Sequence, residues 1–166
     1  TKYVRNVRGE RVQVIDANNK TTAYQYSPLG HVTRVTDSLG NFSTTTYNKY
    51  GWVTAKSDLD LGSWTYAYDP LGQRITQTDA KSQVTSLGYD ALGRLTQRVA
   101  TMGGRSFTTG YAWDGHDRLL TVTYPSGRTV TYTYDAEGRV DGIDTSAGLS
   151  YVSSITYLAH GGVDTI

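Results

Sequence analysis

Apolar and polar residues alternate in short runs along this chain, and turn-forming residues separate one run from the next. In W-T-Y-A-Y, Trp64, Tyr66 and Tyr68 point to one side of an extended backbone and the intervening residues to the other, because successive strand side chains face opposite ways. The sequence V-T-Y-T-Y at residues 130–134 repeats this pattern. The alternation predicts β-strands, and no stretch is typical of an amphipathic helix.

An aromatic residue and a glycine four positions later recur every 21 residues over most of the chain. The steps lengthen to 24 residues at Trp113 and 23 at Tyr157, Arg5 replaces the aromatic in the first step, and Asp117 replaces one glycine. Such a period indicates an array whose units bury apolar surface by stacking on their neighbours. The aromatic positions are Tyr26, Tyr47, Tyr68, Tyr89, Trp113, Tyr134 and Tyr157, and the glycines are Gly9, Gly30, Gly51, Gly72, Gly93, Gly138 and Gly161.

Each repeat is predicted to contain two strands and two turns. In Y-D-P-L-G, Asp69 can accept hydrogen bonds from backbone amides, Pro70 presets φ for a type I turn, and Gly72 can adopt φ > 0. Asp90 and Asp135 take the place of Asp69 in their own repeats. Strands then recur at the spacing of an antiparallel meander. The second turns of three repeats lie at residues 37–41, 58–62 and 79–83.

We therefore predict an all-β protein, an antiparallel β-hairpin array of about eight repeats over residues 1–166. Strand twist accumulates, so we expect the array to coil into a strip or partial shell. The row of aromatic rings is expected to supply much of the core, with each tyrosine hydroxyl bonded to neighbouring turn backbone. Because both ends of the sequence fall inside a repeat, we expect a fragment of a longer chain. Its free edge strands favour edge-to-edge self-association, mainly through residues 152–157 and also around residues 12–15.

Composition narrows the function classes. The net charge is +1 and acidic and basic residues are interspersed, which argues against a nucleic-acid partner. There are no cysteines for disulfides or thiolate metal sites. No apolar run reaches the roughly 18 residues of a membrane span. No motif in the sequence predicts a cofactor or a metal.

Residue groups with catalytic or ligand-binding chemistry are few. His31, His116 and His160 lie at or beside turns without a nucleophile motif, so we interpret them as solvated turn residues. The D-L-D-L-G sequence at 58–62 resembles the start of a calcium loop but lacks the later ligands, which favours an ordinary turn. The glycines at 103–104 have no following helix to form a phosphate site, and we interpret them as a lengthened hairpin loop.

Four arginines follow turns at similar repeat positions. Together with exposed tyrosines, they could bind sugars or acidic polymers along one sheet edge. The simpler interpretation is that each forms a salt bridge within its own turn or covers a tyrosine ring there. These residues are Arg94, Arg118, Arg128 and Arg139.

The motifs Y-D-P-L-G, Y-D-A-L-G-R and Y-D-A-E-G-R, in register at this spacing, resemble the YD repeats of the Rhs family. This family includes bacterial Rhs polymorphic toxins, the C component of insecticidal toxin complexes and, more distantly, teneurins. The resemblance implies a secreted or cell-surface bacterial protein whose repeats form a hollow shell around a C-terminal toxin domain. Its partners would be the remaining repeats and that toxin. No segment here matches the family's autoproteolytic aspartate pair, so no cleavage residue is assigned.

Two hypotheses about function remain open. The first is a non-catalytic structural segment of such a shell, and the alternative is a carbohydrate-binding repeat module at a cell surface. An enzyme is the least favoured class. Aromatic residues concentrated on an enclosed wall would favour the shell, and an outward row of tyrosine and tryptophan over a charged groove would favour carbohydrate binding.

Overall fold

The computed structural model describes residues 1–146, 150–159 and 161–165, and every regular element in these ranges is a β-strand. The strands belong to two compact units, Thr1–Val84 and Thr85–Ile166. Within each unit the strands pair antiparallel in chain order. The predicted all-β class and the antiparallel hairpin array are confirmed. The prediction that residues 1–166 form one segment of a longer chain stays a prediction.

The first unit is a meander in which each strand pairs with the next one along the chain. A β-bulge precedes the turn wherever a strand ends at a repeat aromatic, for example between Ala67 and Tyr68. The strands are β1 (Lys2–Arg5), β2 (Arg11–Ile15), β3 (Thr21–Tyr26), β4 (Val32–Thr36), β5 (Phe42–Tyr47), β6 (Val53–Asp58), β7 (Gly62–Tyr68) and β8 (Arg74–Thr78).

The second unit is also an antiparallel meander and ends in a separate two-stranded hairpin. The strand β9 (Val84–Tyr89) begins at the boundary between the units. The others are β10 (Leu95–Met102), β11 (Arg105–Trp113), β12 (Leu119–Thr123), β13 (Thr129–Tyr134), β14 (Val140–Thr145) and β15 (Ser150–Val152), with β16 (Thr156–Tyr157) and β17 (Val163–Thr165) forming the hairpin. The self-association predicted for residues 152–157 stays a prediction.

The turn predicted from Y-D-P-L-G has the expected geometry. The Gly72 amide donates to the Asp69 carbonyl over 3.1 Å, and Asp69 Oδ1 accepts from the amides of Leu71 and Gln73 over 2.9 Å each. Gly72 has φ of 85°, a left-handed value that favours glycine. Asp117 adopts φ of 63° at the equivalent position of its own repeat. The turn therefore needs left-handed backbone at this position, and aspartate tolerates it there.

Strand register separates two chemically different faces in the first unit. Lys56 pairs with Trp64, whereas Ala55 pairs with Thr65 on the opposite face. Trp64, Tyr66 and Tyr68 are half-buried, and the residues between them are exposed, as the alternation predicts. One face is therefore aromatic, and the other is rich in threonine, serine and alanine.

Burial is lower than the sequence indicated. Among the described residues only Ala100, Val122 and Val130 form a buried apolar core, and no large side chain is fully buried. The expectation that the aromatic row is a buried core is wrong in degree, because the rings of the row are half-buried. Within each unit, the contacts between the described strands join consecutive strands of one sheet. Each ring is therefore covered by its neighbours on the same face and not by a second layer of its own unit.

Candidate functional site

The repeat aromatics all occupy one kind of position. Each is the last residue of its strand, directly before the turn: Tyr26, Tyr47, Tyr68, Tyr89, Trp113, Tyr134 and Tyr157. The turn glycines follow in the same register. The candidate site is therefore the row of turns that carries these aromatics, which we call the turn edge of each unit.

The polar atoms of the row donate to the backbone of the preceding repeat. The Tyr68 hydroxyl donates to the Val53 carbonyl over 2.8 Å, at the first residue of β6. Tyr134 makes the same bond to Leu119 over 2.6 Å, and burial raises the pKa of this phenol. The predicted backbone partner of the hydroxyl is therefore present. It is the carbonyl of the first strand residue after the turn of the preceding repeat. The same kind of bond joins Tyr26 to Arg11, Tyr47 to Val32, Trp113 to Leu95 and Tyr157 to Val140.

We call the residue that follows the turn glycine, or Asp117 at the equivalent position, the post-turn residue. In five repeats it packs on the aromatic of the next repeat. The His31 ring stacks on Tyr47 with centroids 4.8 Å apart. A Cβ built on Gly51 would lie 2.8 Å from His31 Cε1, so only glycine leaves room for this ring. In the next repeat Trp52 packs on Tyr68 at 5.4 Å. The glycine thus has two functions, the left-handed turn and space for the preceding repeat.

Arginines take the post-turn position in the second unit. Arg118 lies over the Tyr134 ring with its guanidinium carbon 4.4 Å from the centroid, and Arg139 lies over Tyr157 at the same distance. Such cation–π contacts add to the area that the stacking buries. Arg94 contacts Trp113 in the same way at 5.8 Å.

Each of these arginines also pairs with a carboxylate of its own turn. Arg118 Nε donates to Asp114 Oδ2 over 2.7 Å, and Arg139 binds Asp135 over the same distance. The simpler interpretation, a salt bridge or a ring contact within the arginine's own turn, is confirmed for these three by the salt bridge. The additional contact with a ring of the next repeat was not predicted. This contact arises because the strand after the turn carries the post-turn side chain across to its neighbour. Arg94 pairs with Asp90 in the same way. Arg128 instead lies 5.9 Å from the ring of Tyr124, in its own turn as predicted, and 5.4 Å from the ring of Tyr151.

The histidines have different environments. His31 is half-buried and stacked, so its interpretation as a solvated turn residue is wrong. The sequence could not show that the next repeat supplies a ring at this distance. His116 is exposed at its turn, as expected. His160 lies outside the described residues.

Two other sequence candidates are ordinary turns. Asp58 Oδ1 accepts from the Asp60 and Leu61 amides over 2.9 and 3.2 Å, which is the Asx-type turn predicted there. Across the described ranges, no group of three or more histidine, aspartate and glutamate side chains is placed to hold a metal. Gly103 and Gly104, predicted as a lengthened loop, form a tight turn with φ of 56° and 74°. The additional residues instead lengthen β10 and β11, where Met102 pairs with Arg105.

Hydrogen bonds within the turns lower the pKa of two turn carboxyl groups, those of Asp114 and Asp90. The backbone amide of Arg118 donates to Asp114, and with the Arg118 guanidinium it lowers the pKa of this carboxyl to about 2. The backbone amide and guanidinium of Arg94 lower the pKa of Asp90 in the same way. Both carboxylates are therefore ionised at neutral pH, and each accepts hydrogen bonds from backbone amides of its own turn.

The lowered pKa of Asp114 predicts that the stability of the folded protein depends on pH in the acid range. A carboxyl whose pKa is lower in the folded state stabilises the protein above its unfolded value of 3.8, and this stabilisation is lost as pH falls towards about 2. Asp114→Asn keeps the oxygen that caps the turn and removes the ion pair. We expect this variant to have a lower melting temperature than wild type at pH 7, with the difference narrowing between pH 4 and pH 2. Thermal unfolding across this range checks it, with exposed Asp144→Asn as control. A difference that is constant with pH contradicts the prediction.

Comparisons with known proteins agree with this geometry. The sequence profile of the family described as Teneurin YD-shell matches residues 18–158. A search of curated proteins gave no match. Among described residues no helix is long and apolar enough to cross a membrane.

Several solved structures have the same fold. The structure described as TcdB2-TccC3-TEV superposes with a TM-score of 0.72 at 18% identity, over 94% of this chain and 9% of that one. TcdB2-TccC3 without its hypervariable C-terminal region gives 0.63 at 15% identity, over 97% and 11%. The Photorhabdus luminescens Tc holotoxin pore gives 0.53 at 15% identity, over 97% and 12%. The chain thus spans about a tenth of the length of these structures.

Proposed function

Because the chain belongs to the teneurin YD-shell family, we propose that it is a non-catalytic wall segment of a β-shell that encloses or presents a C-terminal toxin domain. One observation carries the proposal. Five post-turn side chains pack on the aromatic of the following repeat, for example Trp52 on Tyr68 and Arg118 on Tyr134. Because each contact joins one repeat to the next, any number of repeats can be added in the same way, as an extended shell wall requires.

The partners and location follow from the same proposal. The remaining repeats of a parent chain would continue the ladder, and a toxin domain would be the enclosed cargo. TcdB2-TccC3 and the Photorhabdus luminescens Tc holotoxin have this fold, which supports a protein that a bacterium secretes or displays at its surface. A wall protects its cargo by excluding proteases and needs no acid–base residues of its own.

Cargo protection tests the shell function. In the full-length parent protein, the domain that follows the repeats should resist an added protease. Deleting residues 18–158 should expose it, and Gly72→Ala, which displaces Trp52, should speed its digestion. Gly40→Ala is the matched control, since Gly40 also has positive φ but would bring its Cβ near no other residue. A domain that is digested equally fast with and without these repeats would contradict the shell role.

The alternative, carbohydrate binding, is favoured by one local feature. Post-turn side chains cover five of the seven rings of the row, so the described part of the row offers a glycan no continuous run of uncovered rings. Tyr50 differs, since it lies on a turn, stacks on Trp52 at 4.9 Å and is 63% exposed. A sugar site on this protein would therefore be local, at these two residues.

A further inference from the structure

Two shallow grooves on the turn edge of the first unit occupy the same ten repeat positions, two periods apart. The Arg8 groove is lined by residues 6–8, 10, 12 and 24–28, and the Trp52 groove by residues 48–50, 52, 54 and 66–70. Their volumes are about 470 and 560 Å³. Because the backbone repeats, the grooves differ mainly in their side chains. The first therefore serves as an internal reference for the second.

The Arg8 groove satisfies its own polar groups. Asn6 Nδ2 donates to Glu10 Oε2 over 2.6 Å. Arg8 Nη1 donates to the carbonyl oxygen of Pro28, in the next turn, over 2.8 Å. These bonds tie the two turns together across the groove and use the groups that line it.

The Trp52 groove has the same frame without these bonds. Tyr50 replaces Arg8 and Trp52 replaces Glu10, so the residues that closed the first groove are absent. Within the described ranges no protein donor reaches the Pro70 carbonyl oxygen, the counterpart of the Pro28 acceptor. The groove therefore offers an open acceptor at a place where its counterpart has an internal partner.

Three more polar atoms of the Trp52 groove are open within the part of the chain that the structure describes. Asn48 and Asp69 use Oδ1 for their own turns, which leaves Asn48 Nδ2 and Asp69 Oδ2. The third is the indole Nε1 of Trp52. In contrast, Trp64 donates its indole N–H to Leu61 over 3.1 Å, and Trp113 donates to Leu95 over 2.8 Å. The groove thus combines open donors with open acceptors.

The aromatic side chains give this groove a rigid surface. Tyr50 and Trp52 stack with an angle of 30° between their planes, and Trp52 packs in turn on Tyr68. Lys49 Nζ lies 4.9 Å from the Tyr50 centroid, and Asp69 lines the opposite turn. One positive and one negative side chain leave the groove without a strong charge preference.

These features select the ligand. A guanidinium or ammonium group only donates, and a carboxylate or phosphate only accepts, so neither satisfies both Asn48 and Pro70. Hydroxyl groups do both. An extended peptide also carries both, but the backbones of β6 and β7 are bonded to each other below the groove and offer no strand edge. We propose that the Trp52 groove binds a neutral pyranose of a glycan, with the C–H face of the sugar on Tyr50 and its hydroxyls bonded to Asn48, Asp69 and Pro70.

The test converts one groove into the other. Tyr50→Arg introduces the residue that closes the Arg8 groove and removes the exposed ring. Leu29→Arg is the matched control, since Leu29 holds the same turn position in the preceding repeat and is 69% exposed. Cellotetraose, chitotetraose, maltotetraose and mannotetraose are titrated into wild type and both variants, while NMR follows the Trp52 indole signal. Circular dichroism verifies folding, and Tyr50→Thr replaces Tyr50→Arg if that variant does not fold.

We expect at least one tetrasaccharide to shift the Trp52 indole signal saturably. Tyr50→Arg should weaken this binding by about tenfold or more. Leu29→Arg should leave it within about twofold of wild type. No saturable shift at roughly 20 mM sugar, or equal binding by both variants, overturns the proposal. It is also overturned if heparin fragments or extended peptides bind the groove and the neutral sugars do not. The sugar titration and the protease experiment measure different properties. A negative result in one therefore leaves the proposal tested by the other unaffected.

Discussion

Replacing Gly72 with alanine is expected to destabilise the protein by about 3 kcal/mol, the largest single effect at the turn edge. The left-handed φ of 85° costs a residue with Cβ about 1–2 kcal/mol. The new Cβ would also lie 2.7 Å from Trp52 Cζ2, so the indole must leave its place on Tyr68. Displacing a packed ring adds roughly 1–3 kcal/mol. Chemical denaturation measures the loss.

Gly40 separates these two costs. It has φ of 89° but no other residue within 4 Å of the built Cβ, so Gly40→Ala carries only the backbone strain. We expect it to lose about 1–2 kcal/mol. In a Trp52→Ala background, Gly72→Ala should then cost about as much as Gly40→Ala, because the clash has gone. Equal losses at Gly72 and Gly40 in the wild-type background would refute a space-making role for the glycine.

Replacing Tyr68 with alanine is expected to cost about 2–3 kcal/mol, less than the roughly 3–5 kcal/mol of a fully buried aromatic. The ring is half-buried, packs on Trp52, and its hydroxyl donates to the Val53 carbonyl. Tyr68→Phe keeps the packing and loses the hydrogen bond, which predicts a loss of about 1 kcal/mol. Urea denaturation of both variants gives the two contributions.

Leu71→Ala is the control for Tyr68, because Leu71 lies in the same turn and is 82% exposed. We expect a change within about 0.5 kcal/mol, the usual range for a surface site. A Tyr68→Ala variant no less stable than Leu71→Ala would show that the aromatic row contributes nothing to the fold.

The repeat period and turn chemistry are local, so the sequence alone determined the strands, the turns and the antiparallel order. Asp69 and Gly72 specify their turn through backbone geometry that involves only their neighbours along the chain. Alternation in W-T-Y-A-Y fixed which side chains share a face. The family resemblance followed from the same residues.

Contacts between repeats were decided only by the tertiary structure. His31, Trp52 and Arg118 have no common chemistry, and a shared role follows only when strand pairing places each beside the aromatic of the next repeat. The sequence did contain one signal of these contacts: in nearly every repeat, a long or ring-bearing side chain directly follows the turn glycine. Burial could not be read from composition either, because it depends on whether a second layer covers the sheet. Local chemistry therefore specifies each hairpin, and the distance between stacked hairpins determines what its side chains contact.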